Sequence, residues 1–141
     1  MSRLRTLVEF YASRPLRPRF DPHERWYTRL VAADDHEAWL LTWLPGQGTD
    51  LHDHGGSAGA FTVLAGRLTE QTVGVRLMDR GYGRGATREF GPHHVHRMVN
   101  AGTVPAVSLH VYAPALTRMT RYELVDGALR ALAVERAGAD W

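Results

Sequence analysis

The sequence predicts an all-β domain, a sandwich or small barrel, carrying one short N-terminal helix. Three observations carry this reading. From residue 25 onward, short apolar or alternating runs recur: WYTRLVA, EAWLLTWL, TDLHDH, AFTVLAG, RLTEQTVGVRL, HVHRMVN, AVSLHVYA and TRYELV. Turn-forming residues separate them, and many short strands at regular spacing describe a sandwich or barrel. The chain is 141 residues long and 44% hydrophobic, the size and composition of one globular domain with a real core.

Taken in order, residues 3 to about 13 place Leu4, Leu7, Val8 and Tyr11 at i, i+3, i+4, i+7, the stripe of an amphipathic helix. Pro15, Pro18 and Pro22 then forbid regular structure. Residues 1–24 are therefore read as a helix with a Pro-rich connection, and 25–141 as the β domain. Within the latter, turns are expected at Asp34-Asp35, Pro45 to Gly48, Gly55-Gly56-Ser57, Gly81-Tyr82-Gly83, Asn100 to Gly102 and Asp126-Gly127. The final stretch ALRALAVERA suits either a helix or a last strand.

Composition removes several classes of function. With no Cys, disulfides, thiolate metal ligands and Cys nucleophiles are absent together. No apolar run approaches the ~20 residues of a membrane span. The N-terminus lacks the uninterrupted apolar core of a secretory signal, so a cytoplasmic location is expected. The formal charge is +2 and every basic residue is Arg. The arginines are interspersed with acids, and the densest stretch, Arg14 to Arg19, reads as an irregular connection rather than a nucleic-acid footprint. No nucleic-acid or membrane partner is expected, and the chain is taken as a monomer.

Six of the eight His fall between residues 52 and 110. His52 and His54 stand two apart on an expected strand, which points both to one face. His94 and His96 stand in the same relation on a later strand, with His93 just before them. An i, i+2 imidazole pair on a rigid strand is half of a pre-formed metal site. A third ligand from another strand would complete a facial set with open positions, as a catalytic metal needs. The competing account is that such pairs are surface or core histidines.

The glycine spacing adds to this. Gly46 lies six residues before His52, Gly59 and Gly66 follow His54, Gly85 lies eleven before His96, and Asn100 four after it. In these positions the chain resembles the cupin superfamily: Gly46, His52, His54 and Gly66 fit its first motif, and Gly85, His96 and Asn100 its second. The motif Glu, a usual fourth metal ligand, is replaced by Gly59. The Pro and Gly of the second motif are replaced by Gly91 and His93. The resemblance implies a jelly-roll β-barrel with a metal inside it, held by His52, His54 and His96 with no carboxylate.

Residues 25 to 116 further resemble the cysteine dioxygenases, a thiol-oxidising branch of the cupins. The matching residues are HDHGGSAG from His52 to Gly59, the Tyr27-Thr28-Arg29 element, His96-Arg97 with Asn100, the strand Ser108-Leu109-His110-Val111-Tyr112, and Trp43 nine residues before His52. The resemblance implies an Fe(II) enzyme that binds L-cysteine through sulfur and amine, places O2 beside the sulfur, and forms cysteine sulfinic acid. In it Arg29 binds the substrate carboxylate with help from Tyr27. Where animal members carry a Cys cross-linked to the active-site Tyr, this chain has Gly59, so the thioether cofactor cannot form and Tyr112 is a free phenol.

The residues themselves support parts of this. Ser108, His110 and Tyr112 alternate on one strand, share a face, and can form a hydrogen-bond relay. Three residues in line on one strand do not make a hydrolase triad; their alternative is a set of satisfied polar groups in the core. Arg29 sits in an apolar run on the face of Tyr27. Buried, it needs an anion, which a carboxylate meets with two parallel hydrogen bonds; a salt bridge to Asp or Glu, or an outward face, is the alternative. Other substrates weighed are 3-mercaptopropionate or another small thiol acid, which Arg29 and the apolar Val31 disfavour. A metal-bearing sensor without turnover is the remaining alternative.

Overall fold

The computed structural model describes residues 2–136. Helix α1 (Arg3–Ala12) precedes strands β1 (Trp26–Ala32), β2 (Glu37–Trp43), β3 (Leu51–His52), β4 (Ala58–Ala65), β5 (Arg67–Val73), β6 (Leu77–Gly83), β7 (Thr87–Phe90), β8 (His96–Val99), β9 (Ala106–Ala113), β10 (Arg118–Val125) and β11 (Ala128–Arg136). The strands form two antiparallel sheets, β1-β2-β9-β4-β7 and β11-β10-β3-β8-β5-β6. No described helix is long and apolar enough to cross a membrane.

The first sheet is apolar on both faces, and the alternation of side chains explains how. On β9, Leu109 and Val111 join Val8, Ala38 and Ala60 in a cluster under α1. The residues between them face the second sheet, where Leu41, Trp43, Phe61, Leu68, Met98 and Tyr112 belong to the main core. Every residue from Ala106 to Tyr112 is consequently buried, as expected of a strand covered on both sides. The helical stripe Leu4, Leu7, Val8 and Tyr11 packs on this sheet as its spacing predicts. Ser2 caps the helix by accepting from the Arg5 N–H at 3.1 Å.

The final stretch is a strand through Arg136; residues 137–141 lie outside the described residues. Two segments differ from the sequence expectation. Gly81-Tyr82-Gly83, expected as a turn, finishes β6, because Tyr82 is buried against Phe61, with ring centroids 5.3 Å apart. The chain reverses instead around Gly85, which has φ +86°, a conformation suited to glycine. Strand β3 is only two residues long, so His54 lies beyond it, and His94 precedes β8 rather than sitting on it. Asp53 ends β3: its Oδ1 accepts from Gly55 N at 3.1 Å and from Thr120 N at 3.0 Å. Gly55 and Gly56 follow with φ +60° and +96° and turn the chain away.

Candidate metal centre and cavity

Two strands and the turn that follows β3 bring the histidines together. His52 ends β3 and pairs directly with His96 at the start of β8. His54 arrives from the turn that Asp53 closes. The potential ligand atoms of His52, His54 and His96 all lie within 4.8 Å of one another, and all three residues are buried. His54 is packed between Phe90 and Tyr112, with centroids at 4.7 and 5.3 Å.

The electrostatics favour uncharged imidazoles. Burial pulls all three well below or below the ordinary histidine value, and the neighbouring ring charges add to this for His52 and His54. Neutral imidazole is the form that binds a metal. His52 directs Nδ1 to the Asp50 carbonyl at 2.8 Å, and His96 directs Nδ1 to Glu70 Oε2 at 2.7 Å. With Nδ1 donating in each, Nε2 is the lone-pair nitrogen. Both ring nitrogens of His54 are buried without a hydrogen-bond partner. A metal ion held by the three rings removes that unmet demand, so the residues present fit one.

Glu70 is the part of the centre that the sequence reading missed. Its side chain is 2% exposed, and it accepts from His96, from His94 Nε2 at 3.0 Å and from Arg88 Nε at 3.1 Å. Burial alone would raise its pKa. The hydrogen bonds from His94, His96 and Arg88 outweigh that and hold it well below the usual carboxylate range. A signal existed: Leu68 and Glu70 share one face of β5, and Leu68 is fully buried, so a charge at that parity needs an explanation. His94, expected beside His96 on a strand, thus reaches the site as a partner of Glu70.

The Ser108, His110 and Tyr112 row lies on the inner face of β9. Trp43 Nε1 donates to Ser108 Oγ at 2.9 Å, and Ser108 Oγ meets His110 Nε2 at 2.8 Å. An indole N–H can only donate. The buried serine hydroxyl then gives its own hydrogen to Nε2, which leaves the proton of neutral His110 on Nδ1. Burial drives His110 down to about 3, so the ring is uncharged. Its Nδ1 faces the Tyr112 hydroxyl at a long 3.5 Å. Burial also pushes Tyr112 up, keeping it a phenol. The row is therefore directional, and ends with a tyrosine O–H free of the demand to donate to His110.

A cavity of about 510 Å³ opens beside these groups, bordered among others by His52, His96, His110 and Tyr112. Its volume suits a small molecule. Tyr27 lies on its wall, 5.9 Å from Trp39 by ring centroids. Arg29 differs from the expectation of a buried cation. It shares the face of Tyr27 and its Cζ stands 5.9 Å from the Trp39 ring centroid. Yet its side chain is 51% exposed and meets Glu37 at 3.7 Å, and it is not on the cavity wall. The backbone parity holds, but Arg29 sits further along β1, and β1 bulges between Arg29 and Val31. The arginines on the wall are Arg25 and Arg121.

Gly59 has no left-handed backbone to require it. A Cβ there would lie 2.5 Å from Phe90 Cζ and 3.0 Å from Tyr112 Cδ1. Phe90 thus occupies the space that a side chain at position 59 would enter.

Known proteins share this fold. The cupin fold recurs in a Thermus thermophilus protein (22% identity, TM-score 0.63, covering 70% of this chain and 90% of that one). It recurs in a Klebsiella pneumoniae protein with a double-stranded β-helix domain (22%, TM-score 0.60, covering 76% and 81%). An oxalate oxidase in complex with glycolate is similar over 67% of this chain and 53% of its own length (18%, TM-score 0.57). No curated protein matches the sequence. The family model for cysteine dioxygenase type I matches residues 4–124. With three neutral histidines gathered in a cupin barrel, the chain belongs to the cysteine dioxygenase type I family and is, at that level, a metal-dependent dioxygenase-like oxidoreductase.

Proposed function

We propose that the protein is an Fe(II)-dependent thiol dioxygenase that converts L-cysteine and O2 to cysteine sulfinic acid. The observation that carries this reading is the convergence of three buried, uncharged imidazoles beside a cavity bordered by His110 and Tyr112. Iron held by His52, His54 and His96 would supply a Lewis-acidic, redox-active centre for the thiolate and O2. With no protein carboxylate among these ligands, the centre favours an anionic sulfur donor. The overall reaction balances without another reductant. One S–H bond and the O–O bond break, two S–O bonds form, sulfur gives up four electrons and O2 accepts them.

The chain's own residues have definite tasks in this scheme. Glu70 and the Asp50 carbonyl fix the tautomers of His96 and His52. Trp43, Ser108 and His110 orient the Tyr112 hydroxyl, which then serves as a neutral hydrogen-bond donor to the oxygen or the substrate carboxylate. Tyr112 carries no thioether, because Gly59 has no side chain to supply one. Tyr27 and Trp39 border the cavity and keep part of its wall apolar.

Oxygen uptake by iron-loaded protein with L-cysteine tests the proposal, with mass spectrometry of the product under labelled O2. A gain of two labelled oxygens is expected. Protein that binds only zinc, with no O2 uptake on adding L-cysteine, 3-mercaptopropionate or cysteamine, refutes it.

A further inference from the structure

We propose that two copies of the chain pair through strand β11, edge to edge and antiparallel, across a two-fold axis. β11 has nine residues, the longest of the described strands, and lies at the edge of its sheet, where among the described strands it pairs only with β10. Ala128 to Val134 are exposed without interruption. An open edge offers a row of backbone N–H and C=O groups to another chain, and proteins commonly guard it with Lys or Pro. β11 contains neither. Its surroundings are apolar as well. Among the described residues, five of the eleven exposed large apolar side chains, Leu124, Val125, Leu129, Leu132 and Val134, lie on the β10-β11 hairpin. Gathered on one element, they mark an interaction surface rather than the usual scatter.

The charges on the strand select the partner. In a regular strand, residues five apart point to opposite faces. β11 departs from this. Met119 pairs with Glu135 and Glu123 with Arg130, while the register shifts between Arg121 and Tyr122, which leaves Leu132 as an extra residue. Met119 and Glu123 share a face of β10, so Glu135 and Arg130 share a face of β11. Their ion pairs agree, Arg130 with Glu123 and Glu135 with Arg121. One side of the strand thus carries a cation near its start and an anion near its end. Run antiparallel to itself, β11 sets Arg130 opposite Glu135 of the partner subunit, and the two-fold axis repeats the contact. Glu123, Arg130, Glu135 of the partner subunit and Arg121 of the partner subunit then form a row of alternating sign. On the other face, Ala131 meets Val134 of the partner subunit. A second copy complements the edge in backbone, charge and apolar contact, and the protein is a dimer rather than the expected monomer.

Charge exchange tests this, read by analytical ultracentrifugation of the full chain over a range of concentrations. Wild type is expected to approach twice the 15.8 kDa of one chain as concentration rises. Arg130→Glu creates two like-charge contacts across the axis, and so does Glu135→Arg; each alone should weaken dimerisation about 30-fold or more. Mixed in equal amounts, the two variants restore both opposite-charge contacts, and the mixture should dimerise within about threefold of wild type. Glu135 also pairs with Arg121 inside its own chain, so a general disturbance of the hairpin would persist on mixing, whereas a contact between copies recovers. If either exchange does not fold by circular dichroism, Arg130→Ala decides: the residue is exposed, and its loss must weaken the dimer by at least about twofold.

Wild type that stays monomeric at every concentration overturns the proposal, whatever else covers the hairpin. A dimer left intact by both exchanges, or by Arg130→Ala, places the interface elsewhere and overturns it too. So does a mixture of two folded variants that fails to pair. Pairing along β11 is independent of the chemistry at the metal centre, and the oxygen-uptake assay bears on that chemistry alone.

Discussion

Replacing Glu70 by Gln removes one charge from the hub behind the metal centre and changes almost no volume. The carboxylate accepts four hydrogen bonds at 2.7, 3.0, 3.1 and 3.4 Å, from His96, His94, Arg88 and Tyr82. The Gln amide has one carbonyl oxygen, and its NH2 cannot accept, so at least one of these donors loses its partner. Two effects follow, and they separate. His96 loses the anion that opposes its burial and raises its basicity; loss of such an outer partner typically lowers metal affinity about 10- to 100-fold, roughly 1.4–2.7 kcal/mol.

Arg88 loses its counter-charge. A fully buried broken pair costs about 3–5 kcal/mol. The Arg88 side chain is 33% exposed and can recover hydration, so the lower figure, about 3 kcal/mol, is an upper bound here. Competition with a chelator for Zn(II) and Fe(II) measures the first effect, and urea unfolding of metal-free protein the second. A variant with metal affinity unchanged would refute the assignment of Glu70 as the residue that orients His96, whatever its stability.

His54→Ala should abolish the rise in Tm on adding metal, which for wild type at a thousandfold excess over Kd corresponds to about 4 kcal/mol; a persisting rise would place the metal elsewhere. Gly59→Cys should destabilise by about 1–3 kcal/mol, because the added atoms press on Phe90 and Tyr112. Metal-free protein should lose stability as pH falls. Burial lowers the folded pKa of His52, His54, His96 and His110, the last to about 3, so below about 6.5 the unfolded chain binds protons that the native one excludes. Each such histidine costs about 1.4 kcal/mol per pH unit until its own folded pKa is reached; a urea midpoint flat from pH 7 to 5 would refute the neutral assignment.

How far the sequence reaches depends on what sets each feature. The helix and most strands follow from local periodicity, and β1 runs from Trp26 to Ala32 as its apolar run suggests. The convergence of His52, His54 and His96 was legible in their spacing, although two of the reasons given for it were not right. His54 lies outside a strand because Asp53 and two left-handed glycines end β3 early, and His94 lies in the turn before β8. Parity put Tyr27 and Arg29 on one face but could not say how deep Arg29 lies, since depth depends on Trp39 and Glu37 on the neighbouring strand. Glu70 joins His96 across 26 residues of sequence, a non-local pairing that only the β5-β8 register creates. Its charge on the buried parity of β5 was the one local hint.

The placement of charge ties these observations together. A cupin that keeps a carboxylate among its metal ligands lowers the positive charge of the ion directly. In this chain the corresponding position is Gly59, and Phe90 fills the space beside it. The buried carboxylate of the centre is Glu70, which stands behind His96, and Arg88 meets its charge. The negative charge is thus spent on orienting a ligand and balancing an arginine rather than on the metal. On the proposed function, a divalent ion among these three neutral rings would keep its charge for whatever enters the cavity, and a thiolate would meet that demand. Burial keeps Tyr112 a phenol and His110 neutral, and under the proposed function this matters: an anionic tyrosine or a second cation next to the centre would compete with, or compensate for, an anionic substrate.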